Sequence, residues 1–306
     1  MDERTVELVI VGSNGLDTIE TKFERRAELL GGSVSYACAA ASFFARTGMV
    51  GIVGSDFPAG YLAQYEAFGI DLAGLARVPG ETFRWSGVYD DDMINRRTLS
   101  TELNVFATFA PELPASYREA PYVLLGNIAP ELQLHVLSQV AAPRFVVADT
   151  MDLWINIAPE ALKSVIQCVN MVMLNDGEAR LLTQEHHLRR CAERILQMGP
   201  QYVVIKKGEH GAMLVSQNGI FLVPAYPVDA VVDPTGAGDA FAGGFLGCLA
   251  GSGAVTEAFV RRALLYGAVV ASVAVEGFGL DRLAVLDRPT VEARLSELER
   301  MMRADA

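Results

Sequence analysis

Short apolar runs alternate along the chain with longer stretches whose apolar residues recur at helical spacing. The runs predict buried strands at Val6–Gly12, Met49–Gly54, Tyr122–Asn127, Arg144–Asp149, Asn170–Asn175 and Tyr202–Lys206. The stretches between them predict helices at 34–48, 58–69, 130–140, 186–199 and 238–251. This alternation is typical of an α/β fold with a mostly parallel sheet covered by helices on both faces.

Two further stretches, Leu16–Gly32 and Thr82–Thr101, interrupt this rhythm with alternating, half-exposed positions around a polar turn. Each stretch predicts a hairpin. Together they predict a small sheet that stands off the main one as a lid, with lid segments at residues 16–32 and 82–107. The alternative is a pair of surface hairpins that do not move. No linker divides the sequence, so residues 1–306 are expected to form a single domain.

Composition narrows the class of protein. The 306 residues carry a net charge of −12, which argues against a duplex nucleic-acid binder because such proteins normally present a basic face. The four cysteines are far apart in the sequence and are expected to be free thiols in a reducing cytoplasm. The N-terminus lacks the pattern of a signal peptide, and no apolar run is long enough to span a bilayer. A cytoplasmic protein without nucleic-acid or membrane partners is therefore expected.

Candidate chemistry concentrates in the stretch VVDPTGAGDAFAGGF, Val231–Phe245. If a strand ends at Val232 and a helix begins at Asp239, the Gly-Ala-Gly segment 236–238 forms the turn at the helix N-terminus. The first backbone N–H groups of a helix have no partner within the helix and can bind an anion. Asp239 beside them could act as a general base or only as a helix cap, and the residues alone leave both readings open.

Residues Asp233–Phe245 also resemble the C-terminal signature of the ribokinase-like, or PfkB, carbohydrate kinase family, and further motifs follow in the family's order. The resemblance implies a three-layer α/β/α sandwich with a mostly parallel sheet and a small lid. It implies transfer of the γ-phosphate of ATP to a hydroxyl of a sugar or sugar-like molecule, with Mg²⁺ and commonly a monovalent cation such as K⁺. The residues implied at the reaction centre are Asp239 as base, the amides of Gly236, Ala237 and Gly238 as anion hole, and Asp233 and Thr235 beside the monovalent cation.

The N-terminal motifs resemble the acceptor side of the same family. VGSNGLD and the later LGGSVSYACAAASFFA imply that Asp17 binds sugar hydroxyls and that Gly31 and Gly32 let the sugar lie against the backbone. Tyr36 stands where many members have an Asn, and a Tyr there could stack on a ring or narrow the pocket. Asn127, at the end of a predicted strand, is a further candidate contact to acceptor hydroxyls.

The C-terminal half resembles the family's nucleotide side. MLNDGEARLLT implies that Asn175 and Glu178 help to place magnesium and phosphates, Glu178 through water, although a carboxylate in a first helical turn is also ordinary. VVIKKGEHGAML implies a strand–turn–strand at the nucleotide, in which at most one of Lys206 and Lys207 faces phosphate. The remaining candidates are the turn glycines Gly208 and Gly211 and, either beside adenine or in simple helix packing, Ala268, Ser272 and Phe278.

The sequence does not decide which molecule accepts the phosphoryl group. Tyr36, Phe83 and Trp85 add aromatic surface that suits a nucleobase, so a nucleoside kinase of the same fold is the main alternative to a sugar kinase. A non-catalytic ligand-binding relative is disfavoured because Asp239 accompanies the Gly-Ala-Gly segment. A small-molecule acceptor is the expected partner, and the family's frequent pairing of lid strands between subunits implies a homodimer.

Overall fold

The computed structural model of the protein describes residues 6–304, which form thirteen strands and eleven helices. The strands are β1 (Leu8–Val11), β2 (Gly15–Glu20), β3 (Arg25–Gly31), β4 (Thr47–Val53), β5 (Asp71–Arg77), β6 (Phe83–Tyr89), β7 (Arg96–Glu102), β8 (Tyr122–Leu125), β9 (Phe145–Asp149), β10 (Met171–Asn175), β11 (Tyr202–Lys206), β12 (Ala212–Ser216) and β13 (Gly219–Val223). The helices are α1 (Ser33–Ser42), α2 (Ala59–Ala67), α3 (Pro130–Gln139), α4 (Asp152–Ile157), α5 (Pro159–Cys168), α6 (Asp176–Thr183), α7 (Leu188–Leu196), α8 (Ala237–Ser252), α9 (Glu257–Ala274), α10 (Asp281–Ala284) and α11 (Arg288–Met301).

Nine strands form the main sheet in the order β13-β12-β11-β10-β9-β8-β1-β4-β5. Neighbouring strands are parallel from β11 to β5, and β12 and β13 extend one edge as antiparallel strands. Alternate side chains of β1 enter different cores: Leu8 and Ile10 join the core that contains α1, α8 and α9, whereas Val9 and Val11 join the core on the opposite face. The predicted three-layer α/β/α sandwich is therefore confirmed.

Three strands of the main sheet, β5, β12 and β13, are absent from the predicted apolar runs, and one predicted strand is wrong. β5 is a half-exposed edge strand, β13 is mostly exposed although residues 220–223 are apolar, and β12 was expected only from the family resemblance, as the second strand of a strand–turn–strand. Residues 230–232, expected to end a strand, are irregular. The Val232 N–H donates to the carbonyl of Val275 at the end of α9, at 2.8 Å, rather than to a neighbouring strand. A loop anchored on α9 therefore carries the chain into the Gly-Ala-Gly segment.

The two interrupting stretches form a separate four-stranded sheet in the order β3-β2-β6-β7, as predicted. Their turns lie at residues 21–24 and 90–95, and the central pair, β2 with β6, is parallel. In that pair Gly15 lies beside Phe83 and Asp17 beside Trp85. Residues paired in this way point to the same face of a sheet, so Asp17 shares its face with two aromatic rings. Movement of this sheet as a lid stays a prediction.

Helix α8 packs unusually closely against α1, and its small residues explain how. A Cβ built on Gly243 would lie 2.7 Å from the Cα of Ala37, and one on Gly247 would lie 2.7 Å from the Cα of Ala41. The two backbones therefore touch where larger side chains would hold them apart. This contact fixes the N-terminus of α8 relative to Tyr36 on α1. Within residues 6–304, no helix is both long and apolar enough to cross a membrane.

Candidate active site

Several residues singled out in the sequence, together with Asp149, lie at the carboxyl ends of the parallel strands. Asp149, Asn175 and Lys206 end the three adjacent strands β9, β10 and β11. The small sheet reaches the same region, because Tyr89 of β6 shares a hydrogen bond of 3.0 Å with the hydroxyl of Thr235. Open α/β sheets bind their ligands in the crevice at this end of the strands.

The Gly-Ala-Gly segment forms the N-terminus of α8, although the helix begins two residues earlier than expected. Gly236 precedes the helix with a left-handed φ of 73°, and Ala237 is the first helical residue. Asp239 is thus the third helical residue, with a half-buried side chain. Among the described residues its carboxylate accepts no hydrogen bond, so it does not cap the helix. Burial, and then the charge of Asp149, raise the pKa of Asp239 to about 7.

Tyr36 lies beneath this turn. Its ring fills the space that a side chain at Gly236 would occupy, and the residue is 1 % exposed. Its hydroxyl has no hydrogen-bond partner among the described residues. Burial, followed by the nearby charges of Asp233 and Asp17, raises the pKa of Tyr36 well above its usual value. The ring therefore supports the anion-binding turn, and the unpaired hydroxyl is available to a ligand.

We expect Gly236→Ala to lower the free energy of unfolding by about 3 kcal/mol, because it adds a left-handed non-glycine residue and a clash with Tyr36. Gly253→Ala is the matched control. Gly253 ends the same helix with a φ of 64°, but a Cβ there meets nothing within 4 Å. The control should lose about 1 kcal/mol, from backbone strain alone. Urea denaturation measures both, and equal losses would show that the Tyr36 contact is unimportant.

The acceptor-side residues meet at Asp17, which is 4 % exposed. Burial, and then the charge of Asp233, raise the pKa of Asp17 to about 7. Its Oδ1 atom has no hydrogen-bond partner among the described residues. The two glycines make room for protein atoms: a Cβ on Gly31 would overlap the Asp17 carboxylate, and one on Gly32 would overlap the carbonyl of Ser13. Gly31 therefore makes room for the Asp17 carboxylate and Gly32 for the Ser13 carbonyl, and their contact with a sugar stays a prediction.

An aromatic ring borders the unpaired oxygen of Asp17. A Cβ on Gly15 would lie 2.9 Å from Cδ1 of Phe83 and 3.2 Å from Oδ1 of Asp17, so both atoms border one small space. Phe83 and Trp85 are half-buried, and Phe83 packs on Phe106 with 5.5 Å between ring centroids. A buried acceptor atom beside an apolar ring suits a ligand that combines a hydroxyl with a flat face.

Two candidate contacts have other neighbours than expected. The side chain of Asn127 donates to the sulfur of Met151 at 3.0 Å and accepts from the indole N–H of Trp154 at 2.8 Å, so protein groups already engage its amide. Phe278, considered for the adenine wall, instead packs with Ile19, Tyr89 and Met93 of the small sheet and its turn. Phe278 is therefore on the acceptor side of the molecule.

Lys206 is the lysine that faces the anion-binding turn. Its Nζ lies 3.1 Å from the position of a Cβ on Gly238, and it donates to Oδ2 of Asp149 at 2.6 Å. Burial disfavours the ammonium, but the carboxylates of Asp149, Glu178 and Asp239 together more than offset this and raise the pKa of Lys206. The half-exposed side chain of Lys207 makes no hydrogen bond or ion pair with any described residue, which agrees with the opposite orientations of successive strand residues.

Asn175 and Glu178 form a reciprocal cap at the start of α6. The Glu178 N–H donates to the Asn175 side chain at 2.8 Å, and the Asn175 N–H donates to Oε2 of Glu178 at 2.7 Å. Capping of α6 therefore accounts for both of these hydrogen bonds of Glu178. Burial nevertheless raises the pKa of Glu178 to about 7, against the opposing charge of Lys206. The half-buried Glu178 carboxylate therefore caps α6 from a position that is partly shielded from solvent.

The other candidates for the nucleotide side are two turn glycines and two residues of helix α9. Gly208 and Gly211 have left-handed φ values of 54° and 74° in the turn between β11 and β12. Ala268 is buried within α9. The Ser272 hydroxyl donates to the carbonyl of Val269 at 2.6 Å and accepts from Arg294 at 3.0 Å, so helix packing explains it fully.

Asp233 and Thr235 lie in the loop before α8. Asp233 is 1 % exposed, and its two oxygens accept from the N–H groups of Thr235 at 2.9 Å and Gly279 at 3.3 Å. Burial raises the pKa of Asp233, and no positive side chain within residues 6–304 offsets this rise. Asp233 is the stronger candidate for a cation because it carries the negative charge, while the Thr235 hydroxyl makes one hydrogen bond with Tyr89.

Sequence reasoning missed two charged residues of the site. Asp149 ends a predicted strand, but its importance depends on its pairing with Lys206 two strands away. Arg96 begins β7, and although burial raises the pKa of both Asp17 and Asp239, the Arg96 guanidinium opposes that rise in each. Arg96 is therefore a positive charge from the small sheet near both carboxylates. No local pattern marks either residue, because each acts across strands that are distant in sequence.

Comparison with known proteins identifies the family. Residues 17–283 match the pfkB family carbohydrate kinases. The chain belongs to this family. A cytidine kinase of Thermococcus kodakarensis is 30% identical over 248 residues, which cover 79% of this chain and 87% of that protein. As a family member the chain is a kinase that performs ATP-dependent phosphoryl transfer to a sugar-like acceptor.

Solved structures agree on the fold. A nucleoside kinase of Burkholderia thailandensis in complex with inosine superimposes with a TM-score of 0.79 at 23% identity, covering 95% of this chain and 97% of that one. A nucleoside kinase of Methanocaldococcus jannaschii, described as an archaeal member of the ribokinase family, gives 0.77 at 21% identity, with 95% and 98% covered. The ribokinase-like fold predicted from the sequence is confirmed.

Proposed function

We propose that this kinase transfers the γ-phosphoryl group of ATP to a hydroxyl of a nucleoside, with Asp239 as general base. The acceptor oxygen bonds to the γ-phosphorus, the bond from that phosphorus to the bridging oxygen of ADP breaks, and the hydroxyl proton passes to Asp239. The N–H groups at the start of α8 and the ammonium of Lys206 stabilise the negative charge on the transferred group. Placement of the unbonded Asp239 carboxylate beside this helix terminus carries the proposal.

The residues present fit the expected cations to different degrees. Magnesium binds few protein carboxylates and keeps several waters, so the second oxygen of Glu178, with Asn175 beside it, fits a contact through water. When bound, Mg²⁺ would neutralise charge on the phosphates. Asp233 fits a monovalent cation such as K⁺, because it is a buried carboxylate with no positive partner among the described residues. Thr235 could add its hydroxyl oxygen, which keeps a lone pair beside its hydrogen bond with Tyr89, or its backbone carbonyl.

The acceptor side favours a nucleoside over a free sugar. The unpaired Oδ1 of Asp17 and the unpaired hydroxyl of Tyr36 could both bond acceptor hydroxyls, which would satisfy two buried polar atoms at once. The ring of Phe83 borders the same space as Oδ1 of Asp17 and offers a flat apolar surface for a base. The names of the cytidine kinase and of the nucleoside kinase bound to inosine agree with this choice.

Steady-state turnover with cytidine, inosine, ribose, deoxyribose and fructose tests the proposal. We expect kcat/KM for the best nucleoside to exceed that for ribose by at least about tenfold, because base stacking contributes roughly 1–3 kcal/mol. Phe83→Ala should remove most of this advantage, whereas Phe83→Tyr, which keeps the ring, should retain it. A free sugar that outperforms every nucleoside would reject the acceptor class. Absence of turnover with any acceptor would reject the kinase function.

Two further expectations remain proposals. A homodimer through the small sheet is supported by β7, an edge strand whose seven residues are all exposed and which can pair with a second copy. Leu99 on this strand is 49% exposed. A cytoplasmic location is supported by the use of ATP and by four cysteines that are free thiols, including exposed Cys168.

A further inference from the structure

Hydrogen bonds fix both the carboxylate and the backbone carbonyl of Asp149 at the end of β9. Its Oδ1 accepts from the N–H of Thr150 at 2.9 Å, and its Oδ2 accepts from Lys206 at 2.6 Å. Its own carbonyl accepts from the buried side chain of Gln133 at 3.0 Å. Asp149 is 5 % exposed, so its orientation is fixed by these contacts. A carboxylate held this firmly can fix the position of the group it binds.

The group it binds is the ammonium of Lys206, which ends β11 on the far side of β10. That ammonium lies beside Gly238, the second residue of the helix that forms the anion-binding turn. An ammonium has three N–H donors, and among the described residues Asp149 is its one hydrogen-bond partner. Two donors therefore remain available to an anion that binds at the turn.

The surrounding charges explain why this lysine must be held in place. The carboxylates of Asp149, Glu178 and Asp239 all act on the region around Lys206. A triphosphate entering there meets carboxylate repulsion, which a fixed positive charge offsets. A free lysine side chain would lose rotamer entropy on binding a phosphate, whereas one already held by an ion pair has lost it beforehand.

We propose that Asp149 is a positioning residue that holds the Lys206 ammonium against the N-terminus of α8, where Lys206 contacts the transferred phosphoryl group. This inference rests on the proposed function and deepens it. It assigns a role to a residue outside the signature, and it separates the two lysines of the Lys206-Lys207 pair. Asp149 itself does not touch the substrate. Its effect on the reaction passes through Lys206.

A double-mutant cycle on kcat/KM for ATP tests the link. Lys206→Met should lower this value by about 10²-fold, the usual loss for one group that stabilises transition-state charge, and Asp149→Asn by about tenfold. The double variant should stay within about threefold of Lys206→Met, because Asp149 has nothing left to position. Losses that multiply in the double variant, or an Asp149→Asn enzyme within about twofold of wild type, would overturn the inference.

The controls make the same chemical changes nearby. Lys207→Met removes the neighbouring lysine, and Asp152→Asn removes an exposed carboxylate three residues after Asp149. Both should stay within about twofold of wild type. If Asp149→Asn does not fold, Asp149→Glu replaces it in the cycle, since it keeps the charge but displaces it by one methylene. The double variant of Asp149→Glu with Lys206→Met should then also stay within about threefold of Lys206→Met in kcat/KM for ATP.

Equilibrium binding separates this inference from the proposed function. Lys206→Met and Asp149→Asn should each weaken the affinity for a non-hydrolysable ATP analogue by at least about tenfold, while the affinity for ADP changes by less than about threefold. Equal weakening of both nucleotides would overturn the contact to the γ-phosphoryl group. Calorimetry gives this result without turnover, so it can be read even if no acceptor in the panel is phosphorylated.

Discussion

Replacing Asp239 with Asn is expected to lower kcat by about 10³-fold and to leave the affinity for ATP nearly unchanged. Asn has the same shape but cannot accept the hydroxyl proton at neutral pH. Because the Asp239 carboxylate accepts no hydrogen bond among the described residues, the substitution breaks no contact that supports the fold. Burial raises the pKa of Asp239 to about 7, which suits a base that works near neutrality.

Steady-state kinetics at saturating ATP and acceptor measure this loss, with thermal unfolding as a check on the fold. Glu160→Gln is the matched control, since Glu160 also lies in the first turn of a helix, α5, but is exposed to solvent. Loss of a favourable charge at a helix N-terminus costs about 0.5 kcal/mol, and the control should show no loss of kcat. An Asp239→Asn enzyme that keeps more than about a tenth of the wild-type kcat would exclude Asp239 as the base.

The candidate reaction centre was predictable because its parts are contiguous in sequence. A single segment holds Gly236, the amides after it and Asp239, and a helix terminus needs nothing from distant residues to expose its N–H groups. Even in this segment one prediction from the local pattern was wrong, namely the strand expected to end at Val232. Residues 230–232 are apolar but irregular, because Val232 bonds to the end of α9, a partner more than forty positions later in the sequence.

The rest of the site depends on contacts between distant segments. Asp149 becomes informative only when β9 and β11 are known to flank β10, which brings its carboxylate to Lys206. Tyr36 was expected to face the acceptor, yet its ring also supports Gly236, a contact between α1 and α8 that arises from helix packing. Phe278 follows α9, but its neighbours belong to the small sheet. Periodicity predicts such elements, whereas their side-chain neighbours follow from how the elements pack.

Asp17→Asn is expected to weaken acceptor use and to stabilise the protein at the same time. Loss of the carboxylate should lower kcat/KM for the acceptor by about 10²-fold, because hydrogen bonds to a charged group are worth about 1.5–3 kcal/mol. Burial, and then the charge of Asp233, raise the pKa of Asp17 from its usual 3.8 to about 7. The ionised form of this residue is therefore a cost to the folded state.

The sign of the stability effect follows from the direction of that pKa shift. A carboxyl whose pKa is higher in the folded state favours folding below its unfolded pKa, and this contribution is lost as the pH rises through about 7. Wild type should lose stability from Asp17 between about pH 4 and pH 7, whereas Asp17→Asn should not. The variant should therefore melt several degrees above wild type at pH 8, and the difference should shrink at pH 5.

Asp56→Asn provides a control of opposite sign. Although burial opposes it, hydrogen bonds from Thr82 and Arg84 lower the pKa of Asp56, so its ionised form stabilises the fold. Removing the Asp56 carboxylate should lower the melting temperature at pH 8. The difference from wild type should shrink as the pH falls through the pKa of Asp56. If Asp17→Asn also melts below wild type at pH 8, Asp17 is not a charge held at a cost to stability. If it melts higher but binds the acceptor normally, the unpaired Oδ1 atom does not face the acceptor.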